Sequence, residues 1–152
     1  EAKERIDQIY TPYHDALKQL VIQTKATFGK CILIDCHSMP STGRPMEKDP
    51  GSKRVDIVLG NNHGNACAPE LMQFVDEQFT DLGLTVRRNN PYSGGYTTRH
   101  YGRPHDGVHA LQIEINRALY MDEVSIRKHT GFEGLVGKIT ILLNTLARFQ
   151  EL

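Results

Sequence analysis

A continuous apolar run, CILI at residues 31–34, constrains the fold of this chain more than any other stretch. A short run of this kind is typical of a β-strand that is covered on both faces. Gly29 before it is suited to end a helix, and the polar sequence DCHS at residues 35–38 follows it directly. We therefore predict a central sheet covered by helices, with side chains capable of chemistry where the first strand ends.

The rest of the chain supplies further strand-like and helical segments. Apolar residues recur at steps of three and four in the helical segments, whereas the strand-like segments are short apolar or alternating runs. The predicted strands are 31–34, 55–59, 84–88 and 108–115, and the predicted helices are 2–28, 70–82 and 131–150, with a helical turn at 117–121. This order predicts one α/β domain over residues 1–152, with a central mixed sheet flanked by helices.

Two segments between these elements are predicted to be irregular. Residues 39–54 hold three prolines, two glycines and several charges, which indicates a surface loop. Residues 89–106 form a long polar segment, rich in glycine and aromatic residues and without periodicity. Loops of this length in compact domains usually carry function or are disordered.

The charge balance bears on the kind of partner. Lys plus Arg and Asp plus Glu both number 18, so the formal net charge is zero. This balance argues against broad electrostatic capture of nucleic acid or of an anionic membrane. No apolar stretch reaches the roughly 18 residues that are needed to cross a bilayer. We therefore expect a small-molecule substrate, and neither a nucleic-acid nor a membrane partner.

The three cysteines, Cys31, Cys36 and Cys67, are odd in number and lack CxxC spacing. They predict neither a disulfide framework nor a structural zinc knuckle, so a reducing compartment, the cytoplasm, fits best. The chain begins EAKERIDQIY, without an initiator Met and already in a helical pattern. Such a start is the one expected of a piece cut from a longer chain.

His37 lies just past the predicted end of the first strand, at the sheet edge where α/β proteins usually place ligands. It is a candidate metal ligand or catalytic residue, and a packing role stays open. Asp35 beside it could orient the imidazole or cap the loop. Cys36 is a rival nucleophile, but strand alternation points Cys36 and His37 to opposite faces. A small buried side chain is therefore the favoured interpretation of Cys36.

Glu114 stands between Ile113 and Ile115 in a strand that is otherwise largely apolar. Burial at such a position raises the pKa of a carboxyl group toward the range that is useful for a general base. The alternative is a structural salt bridge to a neighbour such as Arg117. Both interpretations remain open on the residues alone.

The 89–106 segment concentrates arginine, tyrosine and histidine side chains among glycines. Arginine forks suit carboxylates, and tyrosine hydroxyls can complete an anion pocket or follow a closing lid. A solvated loop whose charges do nothing specific is the open alternative. His100, His105 and His109 do not share one helix face, so their spacing alone predicts no metal site.

Four separated motifs occur in order along the chain: DCHSMP at 35–40, DIVLGNNHGNAC at 56–67, NNPYSGGYTTRHYGRP at 89–104 and HALQIEINRALYMDE at 109–123. Together they resemble the N-formylglutamate amidohydrolase (deformylase) family, over nearly the whole chain from residue 30 onward. The resemblance implies a zinc-carboxypeptidase-like fold, related to that of the aspartoacylases. In that fold a central mixed sheet is flanked by helices and a single zinc lies at the edge of the sheet.

The resemblance also implies an activity and a set of site residues. The activity is hydrolysis of the formyl amide of N-formyl-L-glutamate to formate and L-glutamate, a step of histidine degradation. His37 would be a ligand of one Zn²⁺ ion, and Glu114 would be the carboxylate that activates the attacking water. Five further residues are expected in the substrate pocket or its support: Arg99, Arg103, Tyr96, Asn90 and Arg117.

The chain departs from the family pattern in two places. Family members carry an HSG-type segment and an acidic residue near the N-terminus, which supply the other zinc ligands, whereas only a helix precedes Cys31 here. We therefore expect residues 1–152 to be the C-terminal portion of the family domain, with the remaining zinc ligands upstream of residue 1. GNNHG also stands where many relatives have a GDR-type turn, so Asn62 replaces an arginine that could touch the substrate.

Three alternatives to a zinc-dependent N-formylglutamate hydrolase are open. The chain could be a non-catalytic binding domain that lacks the other metal ligands, and measurements of metal content and hydrolysis separate this case. It could instead hydrolyse another N-acyl acidic amino acid. It could also be a cysteine hydrolase that uses Cys36, in which case alkylation of that thiol would abolish activity.

Overall fold

The centre of the fold is a four-stranded mixed sheet. In the computed structural model, which describes residues 1–150 and 152, β1 (Cys31–Met39) and β4 (Val108–Asn116) lie side by side and run parallel. Strand β2 (Ile57–Gly60) pairs with the other side of β4 and runs antiparallel to it, and β3 (Val86–Arg88) runs parallel to β2 at the far edge. The strand order is β1-β4-β2-β3. The predicted mixed sheet is confirmed.

Helices and short turns connect and cover the strands. The helices are α1 (Ala2–Arg5), α2 (Thr11–Phe28), α3 (Pro69–Asp81), α4 (Tyr96–Tyr101) and α5 (Gly131–Leu146). A π-helical turn (Ile6–Tyr10), two 3-10 turns (Pro104–Asp106 and Arg117–Leu119) and a small hairpin of β5 (Met121–Asp122) and β6 (Arg127–Lys128) complete the described elements. None of the described helices is both long enough and apolar enough to cross a lipid bilayer.

The hydrophobic core lies between one face of the sheet and the helices α3 and α5. The α3 side chains that face it recur at steps of one, three and four: Leu71, Met72, Val75 and Phe79. The strands and α5 supply the rest, including Ile57, Leu59, Leu111, Ile113, Leu142 and Leu146. Because side chains alternate along a strand, residues 112 and 114 of β4 point to the opposite face of the sheet. That opposite face also carries Asp35 and His37 of β1.

Strand β1 is longer than predicted. The apolar run ends at Ile34, but the strand continues to Met39 because each residue from Cys31 to Met39 has a partner on β4. His37 therefore lies inside the strand, and the expectation that it lies just past the strand end is wrong. Pairing with a strand far along the chain decides this length, which a local pattern does not reveal.

Helical structure covers the predicted range 2–28, and its packed side is narrow. Its half-buried residues, which line the packed side, are His14, Leu17, Val21 and Thr24. The apolar residues Ile9 and Leu20 of this helical segment stay mostly exposed in the described structure. A π-helical turn at Ile6–Tyr10 precedes Pro12, whose missing N–H disturbs the regular helical hydrogen bonds there.

Candidate active site

Parallel pairing of β1 and β4 brings four polar side chains onto one face of the sheet. Asp35 lies opposite Gln112 in the register, and His37 lies opposite Glu114. Residues two apart on a strand share a face, so all four side chains lie on the same side of the sheet. The sequence alone predicted two of them, His37 and Glu114, as site residues, and the fold makes these two direct neighbours.

The imidazole of His37 lies close to the carboxylate of Asp35. His37 Nε2 lies 3.1 Å from Asp35 Oδ1, and the His37 side chain is 47% exposed. A carboxylate close to an imidazole is suited to orient the ring. The partly exposed imidazole of His37 is suited to bind a metal ion. The orienting role considered for Asp35 is compatible with this distance and stays a prediction.

Glu114 is a buried carboxyl group, with only 7% of the residue exposed. Burial raises the pKa of Glu114, while the nearby imidazole of His37 acts in the opposite direction. The described ion pairs do not include one between Glu114 and Arg117, which was the alternative role for Glu114. Arg117 instead donates to the hydroxyl and the carbonyl of Ser38, at 3.1 and 3.3 Å.

Gln112 links Glu114 to the backbone of Gly95. Its Nε2 donates to Glu114 Oε1 at 2.9 Å, and its Oε1 accepts the N–H of Gly95 at 2.6 Å. The described hydrogen bonds engage one oxygen of the Glu114 carboxyl group and leave Oε2 for exchange of a proton. Gln112 was not predicted as a site residue, although its position two residues before Glu114 in a strand placed it on the same face.

These residues line a cavity of about 460 Å³. The floor is formed by His37, Gln112 and Glu114. One wall comes from the loop before β2 and consists of Met46, Glu47, Lys48 and Arg54, and the other is the segment 91–95. A cavity of this size suits a small molecule such as an acylated amino acid.

The 91–95 segment is held tightly on the sheet. Asn89 Nδ2 donates to Asn61 Oδ1 at 3.0 Å, and Asn89 Oδ1 accepts the backbone N–H of Asn61 at 3.1 Å. The N–H of Asn62 donates to the Ser93 carbonyl at 2.6 Å. Gly60 faces this segment so closely that an added Cβ would lie 2.6 Å from the nitrogen of Gly94. Only glycine allows this approach of the two backbones.

The chain matches known proteins of one family. The sequence pattern of the N-formylglutamate amidohydrolase family matches residues 1–121. The chain belongs to the N-formylglutamate amidohydrolase family. N-formylglutamate deformylases from Pseudomonas aeruginosa and Pseudomonas putida are each 36% identical to this chain over 126 residues. The matches cover 80% and 81% of the chain but 46% and 45% of the deformylases, so the chain spans about half their length.

Solved structures agree with the family assignment. The crystal structure of N-formylglutamate amidohydrolase from Ralstonia eutropha JMP134 matches with a TM-score of 0.86 at 34% identity. That match covers 97% of the 152-residue chain and 53% of the Ralstonia chain. The crystal structure of a gene product from Agrobacterium tumefaciens matches with a TM-score of 0.65. The match covers 93% of this chain and 51% of the Agrobacterium chain. Because the two sequences are only 23% identical, this match supports the fold alone. The family and the α/β fold predicted from the sequence are thereby confirmed.

The five residues that the resemblance suggested for substrate binding are not part of the described lining of this cavity. Tyr96 and Arg99 are exposed on α4, where Tyr96 stacks on His100 with ring centroids 4.9 Å apart. Arg103 is exposed and bonds through its backbone to Val108. Their part in substrate binding stays a prediction.

The other two members of that set border neighbouring cavities. Asn90 is exposed and lines a cavity of about 280 Å³ that shares Lys48 and Arg54 with the main one. Arg117 lines a cavity of about 660 Å³ on the other side of Ser38. Neither residue contacts His37 or Glu114 through a described hydrogen bond, and their role also stays a prediction.

Cys36 is exposed, whereas we expected a small buried side chain. The alternation argument nevertheless holds, because Cys36 pairs with Ile113 of the apolar face and His37 pairs with Glu114 of the polar face. Partial desolvation raises the pKa of the Cys36 thiol, and the negative charge of Asp35 adds to the effect. Both factors disfavour the thiolate that a cysteine nucleophile needs.

A zinc site would require more ligands than the described residues bring together at one place. A zinc site takes at least three protein ligands from Cys, His, Asp and Glu. The described residues contain no group of three such side chains arranged to hold a metal ion. His37 is a suitable single ligand, so a zinc site that includes it needs donors from outside the described residues.

Proposed function

We propose that this chain carries the catalytic base of an enzyme that hydrolyses the formyl amide of N-formyl-L-glutamate to formate and L-glutamate. The observation that carries the proposal is the pairing of Glu114 with His37 in the floor of a cavity. The two relatives that are 36% identical and named N-formylglutamate deformylase support the choice of substrate.

In this mechanism Glu114 is the general base. Its carboxylate takes a proton from a water molecule as the water oxygen adds to the formyl carbon. It then gives that proton to the amide nitrogen as the C–N bond breaks, and formate and the free amine of glutamate leave. Because burial raises the pKa of Glu114, its carboxylate is a stronger base toward the attacking water.

The carboxylates of the substrate need cationic partners. Lys48 lines the cavity, is exposed and takes part in no ion pair among the described residues, so it is suited to bind one carboxylate. The flanking residues proposed to complete the substrate pocket or to support it are Arg99, Arg103, Tyr96, Asn90 and Arg117. Binding energy from the two carboxylates would position a very small acyl group for attack.

We also propose a single zinc ion, histidine degradation as the pathway and the cytoplasm as the location. Bound zinc would supply Lewis-acid polarisation of the reacting groups. His37 would be one ligand, and the others would come from outside the described residues. The absence of a three-ligand group in the described part of the chain favours a second candidate: a binding domain that is catalytically incomplete by itself. A hydrolase of another N-acyl acidic amino acid is a further alternative.

The experiment that tests the base is formate release from N-formyl-L-glutamate, measured for the wild-type chain and for Glu114→Gln. Loss of a general base lowers the rate by about 100- to 10,000-fold. Glu77→Gln is the matched control, because Glu77 is exposed on α3. A Glu114→Gln chain as active as the control would remove Glu114 from this role, and no formate release by the wild type would favour the incomplete-domain candidate.

The ligand assignment of His37 has a separate test. In a preparation that also supplies the donors expected from outside the described residues, we expect His37→Ala to lower zinc affinity, measured by competition with a chromogenic chelator. Cys36→Ala is the matched control, because it removes a possible ligand from the opposite face of the same strand. Equal zinc affinity of the wild type and His37→Ala would contradict the assignment.

A further inference from the structure

The side chain of Arg54 is buried at the wall of the cavity, with 2% of it exposed. Its Nε and Nη2 bind the two carboxylate oxygens of Asp49, at 2.9 and 2.7 Å. Nη2 also donates to Glu47 Oε2 at 2.6 Å. Nη1 donates to the Tyr92 hydroxyl at 2.7 Å and makes a longer contact of 3.5 Å with the Pro40 carbonyl.

These contacts use all the N–H groups of the guanidinium, which has five donors and no acceptor. Two carboxylates face its single positive charge, and the hydrogen bond to Asp49 is the largest factor that raises the pKa of Arg54. Arg54 lines the cavity, but it has no donor left for a substrate carboxylate. Its role therefore lies in the groups that it joins.

Arg54 joins the two walls of the cavity. Glu47 and Asp49 belong to the 40–53 loop, whereas Tyr92 belongs to the 91–95 segment. The Tyr92 hydroxyl also donates to Glu47 Oε1 at 3.0 Å, and the guanidinium carbon lies 5.0 Å from the centre of the Tyr92 ring. One guanidinium group thus fastens a loop and a separate segment to each other.

The tip of the 40–53 loop has little other support. The ends of the loop are joined by a bridge between Thr42 and Lys53 and by backbone hydrogen bonds of Gly43 with residues 51 and 52. Between them, residues 44–48 form neither helix nor strand. The placement of the tip therefore depends on Glu47 and Asp49, the two residues that bind Arg54.

We propose that Arg54 is a positioning residue that clamps the tip of the 40–53 loop to Tyr92 and thereby fixes one wall of the cavity. A buried ion network adds little net stability over an apolar group of similar volume, because desolvation offsets the attraction. What the planar guanidinium supplies is geometry, since its fork binds several acceptors at fixed angles and a lysine does not. The effect on catalysis rests on the proposed function, whereas the clamp itself does not.

Limited trypsin digestion of the 152-residue chain tests the clamp without a catalytic assay. Trypsin cuts after Lys48 in the loop tip, while Pro45 protects the preceding Arg44 bond. We expect Arg54→Met to speed cleavage after Lys48 about tenfold or more, because cleavage follows local opening of the loop.

Two further variants keep the test decisive. Arg88→Met is the matched control, since it removes a partly exposed arginine paired with Asp76 and should leave cleavage after Lys48 unchanged. Tyr92→Phe removes one hydroxyl and no charge, and we expect an intermediate acceleration. If Arg54→Met does not fold, the Tyr92→Phe rate decides. Cleavage no faster than that of the control in the folded variants overturns the clamp.

Kinetics of formate release test the consequence for the active site. A misplaced wall weakens substrate binding, so we expect Arg54→Met to raise KM about tenfold with kcat within about threefold. Glu114→Gln should instead lower kcat and leave KM nearly unchanged. An unchanged KM in Arg54→Met overturns the catalytic part of the inference. If the wild type releases no formate, the proposed function fails, and the protease rates still decide on the clamp.

Discussion

Gln112 Nε2 donates a hydrogen bond to Glu114 Oε1 at 2.9 Å, while Gln112 Oε1 accepts the N–H of Gly95. A backbone N–H can only donate, so the contact with Gly95 fixes which end of the amide is the oxygen. Gln112 is 4% exposed and has little freedom to turn. The carboxyl group of Glu114 is therefore oriented by its own strand and tied to the segment that forms one wall of the cavity.

Replacement of Gln112 by Leu keeps the side-chain volume and removes both hydrogen bonds. If Glu114 is the general base, a poorly oriented carboxylate mainly weakens stabilisation of the transition state and has little effect on substrate binding. We therefore expect kcat to fall about tenfold while KM for N-formyl-L-glutamate stays within about threefold. Steady-state measurement of formate release checks this expectation.

A matched control for that variant is Gln73→Leu. Gln73 is exposed on α3 and bonds only to Glu77 among the described residues, so its loss should leave both kinetic constants unchanged. A Gln112→Leu chain with the kcat of the control would contradict the orienting role. A fall in the circular dichroism signal of Gln112→Leu would point to misfolding as the cause of lost activity.

The polar face of the sheet was largely accessible to prediction. Glu114 stands out in an apolar strand, and His37 follows an apolar run, so local pattern marked both residues before any fold was known. Alternation would also have identified Gln112, because it lies two residues before Glu114. What the local pattern lacked was the register of β1 on β4, which makes His37 and Glu114 neighbours.

The loop side of the cavity could not be predicted in this way. Arg54 ends a segment with no periodicity, and its burial arises from contacts with Glu47, Asp49 and Tyr92 that no spacing rule relates. Arginines of the 89–106 segment were candidates for substrate binding because many hydrogen-bond donors lie close together in that sequence. Closeness in sequence does not determine which side chains face one cavity. Tertiary packing of irregular segments decides that outcome.

Acid should weaken the fold partly through the Arg54 cluster. The hydrogen bond from Arg54 lowers the pKa of Asp49, and the Arg44 backbone N–H is the first cause that lowers the pKa of Glu47. A carboxyl group with a depressed pKa stabilises the fold above its unfolded value, about 3.9 for Asp and 4.3 for Glu. That stabilisation disappears as the pH falls through the lower folded-state values.

Urea unfolding at pH 7, 5, 4 and 3 measures this effect. We expect the free energy of unfolding of the wild type to fall as the pH drops below about 4.3, and that of Arg54→Met to fall less. Arg88→Met should follow the wild type, because its partner Asp76 lies outside the cluster. Parallel curves for the wild type and Arg54→Met would contradict the linkage.

The packing of α3 on the sheet should account for much of the stability. Phe79 is fully buried between α3 and the strands, so Phe79→Ala leaves a cavity. We expect the free energy of unfolding to fall by about 3–5 kcal/mol. Phe28→Ala is the matched control: Phe28 is 73% exposed, and its truncation should cost less than about 0.5 kcal/mol. Equal losses in the two variants would contradict the assigned core.

The three cysteines should react with iodoacetamide in a fixed order. Cys36 is exposed, whereas Cys31 and Cys67 are buried, and burial raises the pKa of Cys67 to about 11. We expect the native chain to take up one equivalent, at Cys36, and the other two thiols to react only after unfolding. Because the pKa of Cys36 is also raised, its alkylation should speed up as the pH rises above the usual thiol range of about 8.5. Mass spectrometry of tryptic peptides locates each adduct.

This alkylation also separates the carboxylate mechanism from a thiol mechanism. Cys36 lies on the apolar side of β1, away from Glu114, so Cys36→Ala should release formate at the wild-type rate. The alkylated wild type should remain active as well, because the adduct grows from the face opposite the cavity. Loss of activity in Cys36→Ala would instead assign attack on the formyl carbon to the thiolate, since alanine removes the nucleophile without adding bulk. Loss on alkylation alone, with Cys36→Ala fully active, would indicate that the added group distorts β1 and moves His37.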